Sequence, residues 1–364
     1  MMTAKTSILF LLHLPLLSSS VFGLTSVLVK QFWQVQYSCT WQEAQQFCRC
    51  LNYNADLATF YHQTDVDNVY LQRYYAWVGL AIRPYVGSWS WTDGLPLDTG
   101  FHPFHWWNQQ NPPYGNCAFV TDQKWFGATD CGQYNFFICS KDDNYFFINQ
   151  SKTWPDARQY CKDFYDDLAI IRQNNELDSA VNPQEFPLWI GLRRDGETWK
   201  WSRGLSDYRN WAPNPTGDYG DCVTMSSLSK TMTNQSCSTR YPFVCYRHNL
   251  VLVKENKTWE EAMQYCKDLS NNNNRYQLVS VQPGDEYDYM MNKVVEADTD
   301  EVWSGLRFLA GYWVWVNGAD MSLPDLPACP VPWQYCGAFS KNYTGTLETR
   351  DCLDKKNFLC YSQW

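Results

Sequence analysis

Three stretches of the chain share one pattern of apolar and polar positions. Each begins with a threonine, after which a tryptophan, an alanine and a cysteine follow at spacings i, i+3 and i+7, on one face of an α-helix. The threonine, with a carboxylate three residues later, has the chemistry of a helix N-terminus. The pattern therefore predicts three amphipathic helices that start near residues 40, 153 and 258 and bury their cysteines.

Two tryptophan-rich stretches follow each predicted helix. The first reads Trp-x-Gly-Leu, at residues 77–80, 189–192 and 303–306, and the second reads Trp-x-Trp, at residues 89–91, 199–201 and 313–315. Residues two apart in a β-strand share one side of the sheet, so both tryptophans of each pair point the same way. A glycine typical of turns comes soon after each pair. We therefore predict two strands after each helix.

The repeated pattern has the length of a domain. The tryptophans of the helix motifs are 113 and 105 residues apart, and each repeat closes on an apolar stretch with a cysteine at residue 139, 245 or 360. This period predicts three tandem domains, at residues 28–140, 141–246 and 247–361. The junctions are short and contain no Gly/Ser-rich or Pro-rich linker, so we expect the domains to pack closely.

Composition and charge exclude several classes of protein. Of the 364 residues, 45% are hydrophobic and 17% are aromatic, which excludes a generally disordered chain. The formal net charge is −9, and this argues against nucleic acid or an anionic membrane as the main partner.

The N-terminus and four N-x-S/T triplets predict a secreted glycoprotein. Residues 1–23 contain a lysine, a short apolar run and then small residues, as a signal peptide does. No later stretch is long and apolar enough for a membrane anchor, so we expect a secreted, extracellular product. The predicted glycosylation sites are Asn149, Asn234, Asn256 and Asn342.

The fifteen cysteines fit an oxidising compartment better than a zinc site, because no Cys-x-x-Cys motif occurs. Each repeat has one long and one short cysteine spacing, of 91, 84 and 94 and of 14, 15 and 16 residues. This regularity suggests six disulfides: Cys48–Cys139, Cys117–Cys131, Cys161–Cys245, Cys222–Cys237, Cys266–Cys360 and Cys336–Cys352.

Three cysteines remain, namely Cys39, Cys50 and Cys329. A helix over residues 40–50 would hold Cys39 and Cys50 about 16 Å apart, too far for them to pair. The odd total leaves at least one thiol, either free or joined to a second chain in a disulfide-linked oligomer.

In order and spacing, these motifs resemble the C-type lectin-like domain, three times over. The tandem arrangement is similar to that of the macrophage mannose receptor group, of which the chain looks like a soluble relative. The resemblance implies an α/β (α+β) fold in each domain, with two helices, small antiparallel sheets, a long loop region and disulfide staples. In many members of the family that loop region binds Ca²⁺ and, through it, a sugar.

The residues at the family's calcium positions depart from the family's pattern. The family uses a triplet such as Glu-Pro-Asn, a Glu two residues before the third cysteine and an Asn-Asp pair, whereas the first repeat has Gly115 and 127–128 (Gly-Ala) at the last two of these. The third repeat has Gln334 and 348–349 (Glu-Thr) there, and the second has Gly220 and 233–234 (Thr-Asn). We therefore expect no Ca²⁺ and no other cofactor. The best candidate ligand-binding residues lie in the second repeat: Trp211, Asn214, Asp218 and Asn234.

No catalytic motif accompanies these domains, so we expect a non-enzymatic protein. The leading hypothesis is lectin-like binding of a glycan or glycoprotein by a route other than the usual calcium site. The alternative is a protein-binding, structural or inhibitory role without sugar binding. A third interpretation is that the chain is part of a longer receptor.

Overall fold

The computed structural model describes residues 30–51, 55–82, 87–97, 115–213, 220–271, 274–280, 285–318, 326–341 and 347–363. The first repeat contains β1 (Lys30–Cys39), α1 (Trp41–Leu51), β2 (Ala55–Leu57), α2 (Gln63–Asp67), β3 (Tyr75–Ile82), β4 (Trp89–Trp91), β5 (Cys117–Thr121), β6 (Phe126–Thr129) and β7 (Asn135–Lys141). The second contains β8 (Asn144–Lys152), α3 (Trp154–Phe164), β9 (Asp167–Leu168), α4 (Asn174–Ala180), β10 (Pro187–Asp195), β11 (Thr198–Trp201), β12 (Cys222–Ser226), β13 (Met232–Gln235) and β14 (Tyr241–His248). The third contains β15 (Leu250–Lys257), α5 (Trp259–Asp268), β16 (Arg275–Leu278), α6 (Asp285–Val295), β17 (Glu301–Leu309), β18 (Tyr312–Trp315), β19 (Cys336–Ser340), β20 (Leu347–Arg350) and β21 (Lys356–Gln363).

The three predicted helices are confirmed as α1, α3 and α5. The hydroxyl of Thr258 accepts a hydrogen bond from the backbone N–H of Glu261, whose carboxylate accepts one from the Thr258 N–H, so the predicted capping box forms. The predicted apolar face of α1 is also confirmed, because Trp41, Ala44 and Cys48 are buried. Since most helix stability in proteins comes from packing such a face, these positions determine where each helix lies.

The strands form three seven-stranded sheets. The Trp-x-Gly-Leu stretches lie in β3, β10 and β17, and the Trp-x-Trp stretches form the antiparallel neighbours β4, β11 and β18. Most of the described strand pairs are antiparallel. The exceptions are three parallel pairs, one in each sheet: β3–β7, β10–β14 and β17–β21. The mixed α and β fold that the sequence predicts is therefore confirmed.

The opening segments of the first two repeats are exchanged. β1 and β2, from the first repeat, pair with β14 of the second, while β8 and β9, from the second repeat, pair with β7 of the first. The third repeat pairs its own β15 and β16 with its own β21. We call the three resulting bodies the first unit (the sheet of β3–β9), the second unit (β1, β2 and β10–β14) and the third unit (β15–β21).

Hydrogen bonds from the helix tryptophans follow the same exchange. The indole of Trp41, in the first repeat, donates to the carbonyl of Ile190 on β10 at 2.8 Å. The indole of Trp154, in the second repeat, donates to the carbonyl of Val78 on β3 at 2.9 Å. The equivalent bond from Trp259 stays inside the third repeat. The opening helix of each of the first two repeats therefore packs on the central strand of the other.

The exchange corrects two of the predicted disulfides. Cys48 pairs with Cys245 and Cys139 with Cys161, so the predicted bonds Cys48–Cys139 and Cys161–Cys245 are wrong. The physical reason is that Cys48 lies on α1 and Cys161 lies on α3. Because these two helices have changed places, each cysteine meets the closing strand of the other repeat. The other four predicted bonds are confirmed: Cys117–Cys131, Cys222–Cys237, Cys266–Cys360 and Cys336–Cys352.

The length of each junction explains which repeats exchange. Asp142 and Asp143 connect β7 to β8, and both have positive φ, of 50° and 60°, as a two-residue type I′ hairpin turn requires. β7 can therefore fold back on β8. Only Asn249 separates β14 from β15, which is one residue fewer than the shortest common hairpin turn.

Equivalent residues of the first two repeats meet each other. The hydroxyls of Ser38 and Ser151 lie 2.8 Å apart. Tyr134 in the first repeat and Arg240 in the second occupy equivalent positions, and the Arg240 guanidinium lies 4.5 Å from the centre of the Tyr134 ring. The rings of Tyr74 and Phe186, another equivalent pair, are 5.8 Å apart. Such self-matching contacts define a local twofold axis, as at the interface of a symmetric dimer.

One hydrophobic core runs through the first and second units. It joins Val78 on β3 to Ile190 on β10 and to Val244 on β14. The third unit has two core clusters of its own, and one of them includes Tyr61 from the segment that follows β2. Among the described residues, no helix combines the length and the apolarity that crossing a bilayer requires. The boundaries of the three domains stay predictions, and the predicted signal peptide lies outside the described residues.

Candidate functional site

In the first two repeats, glycines occupy the family's glutamate position and the backbone closes around them. A Cβ on Gly115, which has a φ of +137°, would lie 2.0 Å from the carbonyl carbon of Thr129. A Cβ on Gly220 would lie 2.0 Å from the carbonyl oxygen of Gln235. Real Cβ atoms do not approach backbone atoms so closely, so these two positions have no room for any side chain.

In the third unit, Arg350 lies beside Glu348, the carboxylate found at the family's Asn-Asp position. The Arg350 guanidinium is 3.6 Å from the Glu348 carboxylate and 2.6 Å from that of Glu301. A hydrogen bond to Glu301 raises the pKa of Arg350, which therefore stays charged. The hydroxyl of Thr349 lies 3.4 Å from the amide oxygen of Gln334. Within the described ranges, no three His, Cys, Asp or Glu side chains come together as metal ligands would.

Two of the four candidate residues in the second repeat can be placed. Trp211 is 39% exposed, and its ring lies 5.1 Å from that of Trp199. The amide of Asn234, on β13, donates a hydrogen bond to the Gly220 carbonyl at 3.3 Å. Trp211 bridges to Met232 on the same strand, so Trp211 and Asn234 flank one loop region. Asn214 and Asp218 lie outside the described residues.

The basic side chain of Arg194 contacts this tryptophan pair. The Arg194 guanidinium lies 4.9 Å from the centre of the Trp199 ring and 3.6 Å from the Asp221 carboxylate. Trp199 therefore contacts both Arg194 and Trp211, and Trp211 is the exposed ring of the pair. The second repeat thus offers an aromatic surface with hydrogen-bonding groups beside it.

The third unit has exposed aromatic side chains, which the sequence analysis missed. Tyr312 and Trp333 are 75% and 73% exposed. In the same segments, the Phe308 ring packs against Trp313 at 5.2 Å and stacks on Tyr335 at 6.0 Å. We call these five residues the third-unit aromatic surface. The signal was the Pro-Val-Pro-Trp run that ends at Trp333, because it lies outside the repeated strand motifs, whose first tryptophans, Trp77, Trp189 and Trp303, are buried.

The backbone of Trp333 supports a role other than packing. Its φ is +74°, in the left-handed region that bulky residues rarely adopt. The next residue, Gln334, occupies the family's glutamate position, and the Tyr335 N–H donates to the Trp333 carbonyl at 3.0 Å. Strained backbone of this kind is concentrated at ligand-binding sites.

The closed glycine position makes a prediction about stability. We expect Gly220→Ala to lower the free energy of unfolding by about 1–3 kcal/mol, because the new methyl group would overlap the Gln235 backbone. Urea unfolding followed by tryptophan fluorescence measures this. Gly132→Ala is the matched control, since its Cβ would meet only a carboxylate oxygen of Asp130, at 3.0 Å. Equal effects of the two variants would contradict the closed position.

Two of the predicted glycosylation sites are open to solvent. Asn149 and Asn256 are exposed, whereas Asn234 is half-buried. Asn342 lies outside the described residues, and modification of all four stays a prediction. Cys39, Cys50 and Cys329 are free thiols, so the prediction that Cys39 and Cys50 do not pair is confirmed. Cys50 and Cys329 are exposed and Cys39 is half-buried.

Comparison with known sequences identifies the repeats. A family model described as "Lectin C-type domain" matches residues 37–141, 150–247 and 255–362, which together make up most of the chain. The bovine secretory phospholipase A2 receptor is 21% identical over 88% of this chain and 28% of its own length. Human C-type mannose receptor 2 is 26% identical over 49% of this chain and 15% of its own length. The chain thus spans between about a seventh and about a quarter of these relatives.

Several solved structures are similar to parts of the chain. The C-type lectin CEL-I from Cucumaria echinata is 22% identical, with a TM-score of 0.27, over 31% of this chain and 89% of its own. Human lithostathine is 24% identical, also with a TM-score of 0.27, over 30% of this chain and 80% of its own. The three matches to the family model, which cover most of the chain, are sufficient to assign the family. The chain belongs to the C-type lectin domain family and contains three copies of that domain.

Proposed function

We propose that this chain is a secreted, non-enzymatic recognition protein that binds the carbohydrate of glycoconjugates without the family's usual calcium ligands. The observation that carries the proposal is the third-unit aromatic surface, which lies beside Gln334, at the position of a family calcium ligand. C-type lectin-like domains are recognition modules, and Tyr312 and Trp333 are the most exposed aromatic side chains in the part of the chain that the structure describes.

Exposed tryptophan and tyrosine rings suit a sugar ligand. The apolar face of a pyranose ring packs against an aromatic ring, while its hydroxyls need nearby polar groups. Trp333 and Tyr312 supply open rings, and Gln334 and Thr349 supply an amide and a hydroxyl. Because neither polar group is charged, this surface fits a neutral sugar.

Three features support binding without calcium. Gly115 and Gly220 leave no room for the family's glutamate in the first two repeats. In the third unit, Arg350 places a positive charge next to Glu348, and this charge would repel a divalent cation. The hydroxyl and amide oxygens that remain are weaker calcium ligands than carboxylates.

A protein ligand is the second candidate. Leu309 and Val331, which lie in the same segments of the third unit as Tyr312 and Trp333, are 50% and 61% exposed. Exposed apolar side chains next to aromatic ones are typical of protein-binding surfaces. The bovine relative is, by its name, a receptor for a protein. The free thiols of Cys50 and Cys329 could join two such chains into a disulfide-linked oligomer.

A glycan array tests this function, run once in Ca²⁺ and once in EDTA. We expect binding that EDTA does not change. We expect Trp333→Ala to weaken it about tenfold, the equivalent of about 1.4 kcal/mol of lost stacking. Tyr70→Ala, which removes another exposed ring that is 59% open, is the matched control and should bind normally.

Other outcomes would change the proposal. Loss of binding in EDTA would contradict calcium independence. Loss in Trp211→Ala but not in Trp333→Ala would move the site to the second repeat. Absence of any glycan binding would overturn the sugar ligand in favour of a protein.

A further inference from the structure

A predicted glycan acceptor lies beside the exposed tryptophan of the second repeat. Trp211 bridges to Met232 on β13, and Asn234 follows two residues later on the same strand. Asn234 opens one of the four N-x-S/T triplets, which Ser236 completes. β13 is the last strand of its sheet, so this acceptor lies at an edge of the sheet rather than at its centre.

The side chains of Trp211 and Asn234 lie on one side of the sheet. Bridged residues of neighbouring strands share a side, and so do residues two apart along one strand. Trp211, Met232 and Asn234 therefore point the same way. With strands about 4.8 Å apart and a rise of about 3.3 Å per residue, the Cα atoms of Trp211 and Asn234 are about 8 Å apart. A group attached to Asn234 thus begins close to the Trp211 ring.

The hydrogen bond of the Asn234 side chain is compatible with an attached sugar. The amide nitrogen donates to the Gly220 carbonyl at 3.3 Å, which uses one of its two hydrogens. An N-linked glycan replaces the other hydrogen, so attachment does not require that this bond be broken. Asn234 is half-buried rather than enclosed, which leaves an open direction for the glycan.

The third unit has no acceptor at the equivalent position. Thr349 stands there, and its hydroxyl lies 3.4 Å from the amide oxygen of Gln334. Trp333 is also more exposed than Trp211, at 73% against 39%. A glycan on Asn234 would therefore cover one of the two aromatic surfaces and leave the other open.

We propose that an N-linked glycan on Asn234 covers Trp211 and prevents this tryptophan from binding an external sugar. Such a glycan is bulky, and its sugar rings pack on an aromatic face as those of a free ligand would. Because it is tethered, its effective concentration at the ring is about millimolar, so it outcompetes a free ligand at lower concentration. Carbohydrate recognition is then confined to the third-unit aromatic surface, a consequence that rests on the proposed function.

Glycopeptide mass spectrometry and oxidative footprinting test the cover without any added ligand. We expect Asn234 of the secreted protein to carry a glycan. Ser236→Ala removes the acceptor triplet and keeps the Asn234 side chain with its bond to Gly220. In this variant, hydroxyl-radical oxidation of Trp211 should rise about threefold, because a ring that is 39% exposed loses its bulky cover. Oxidation of Trp333 should not change and serves as the internal standard.

Two further variants control this measurement. Asn149→Gln removes an exposed acceptor on β8 of the first unit, and it should leave the oxidation of Trp211 at the wild-type level. Asn234→Gln repeats the removal of the glycan in case Ser236→Ala disturbs folding, since the Ser236 hydroxyl contacts that of Ser238. An unmodified Asn234 would overturn the proposal, as would equal oxidation of Trp211 with and without the acceptor.

A glycan array distinguishes failure of this proposal from failure of the proposed function. Ser236→Ala should gain binding that Trp211→Ala, added to the same protein, removes. Increased oxidation of Trp211 without any array binding would contradict the proposed function, because the footprint needs no external sugar. Array binding through Trp333 with an unchanged footprint would contradict the glycan cover. A changed footprint and binding through Trp333, with no gain in Ser236→Ala, would overturn the claim that the glycan prevents sugar binding by Trp211.

Discussion

A single cut between Asp142 and Asp143 should leave the protein as one covalently joined molecule until its disulfides are reduced. Cys48–Cys245 and Cys139–Cys161 both connect residues before the cut to residues after it. If each repeat kept its own helix, with the bonds Cys48–Cys139 and Cys161–Cys245, no disulfide would cross this point. The two topologies therefore predict opposite results from one experiment.

The experiment places a specific protease site in this exposed turn and compares gels with and without reductant. We expect one full-length band without reductant and two fragments with it. A site in the Ala310–Gly311 turn is the control, because Cys266–Cys360 spans that turn whether or not the first two repeats exchange. Two fragments without reductant from the Asp142–Asp143 cut would contradict the exchange.

Acid should destabilise the junction between the second and third units through His248. Burial, together with the charges of Lys293, Arg203 and Lys30, lowers the pKa of this histidine well below its usual value. Below a pH of about 6.5 the unfolded chain therefore binds a proton that the folded chain does not. The stability is intact above that pH and falls as the pH decreases, by about 1.4 kcal/mol per pH unit, until the folded pKa is reached.

His248→Phe tests this account, because phenylalanine keeps the ring contacts with Tyr246 and Tyr289 and cannot titrate. Urea unfolding between pH 5 and pH 8, at constant ionic strength, should show a smaller loss of stability in acid for this variant than for the wild type. His248→Gln provides a second substitution in case the ring change disturbs packing, and His62→Gln controls for the loss of a histidine elsewhere in the chain. The same acid slope in the wild type and in both His248 variants would contradict the prediction.

The local structure of each repeat could be predicted from the sequence because short-range patterns determine it. The spacing of Trp41, Ala44 and Cys48 specifies one buried helix face, and the Trp-x-Trp pairs specify two-residue strand periodicity. The four disulfides with both cysteines in one repeat followed from regular spacing. Apart from Cys266–Cys360, such features depend on residues that are close together along the chain.

The exchange could not be predicted from the same patterns. β7 meets an equivalent apolar strand whether it pairs with β1 or with β8, and Trp41 and Trp154 donate equivalent hydrogen bonds. The two arrangements therefore bury almost the same groups. What distinguishes them is the conformation of two residues, Asp142 and Asp143, and no hydrophobic pattern reports it.

The candidate site was harder to predict than the fold. The glycines at positions 115 and 220 indicated the loss of a carboxylate, but only the structure shows that the backbone fills the space. The exposure of Trp333 depends on its positive φ and on its neighbours in space. Tyr61 and Tyr289, whose rings lie 4.8 Å apart, are more than 200 residues apart along the chain, so no local motif brings them together.

The exchanged helices also determine the order in which the chain can mature during its synthesis. A ribosome delivers Cys139 before Cys245, and at about 5–20 residues per second the interval between them is roughly 5–20 s. During that time Cys48 can pair with Cys139 but not yet with Cys245. Correct maturation therefore requires either that the oxidation of Cys48 is delayed or that an early Cys48–Cys139 bond is reshuffled by thiol–disulfide exchange. If the oxidation of Cys48 is not delayed, a cell without a disulfide isomerase should accumulate the unexchanged form.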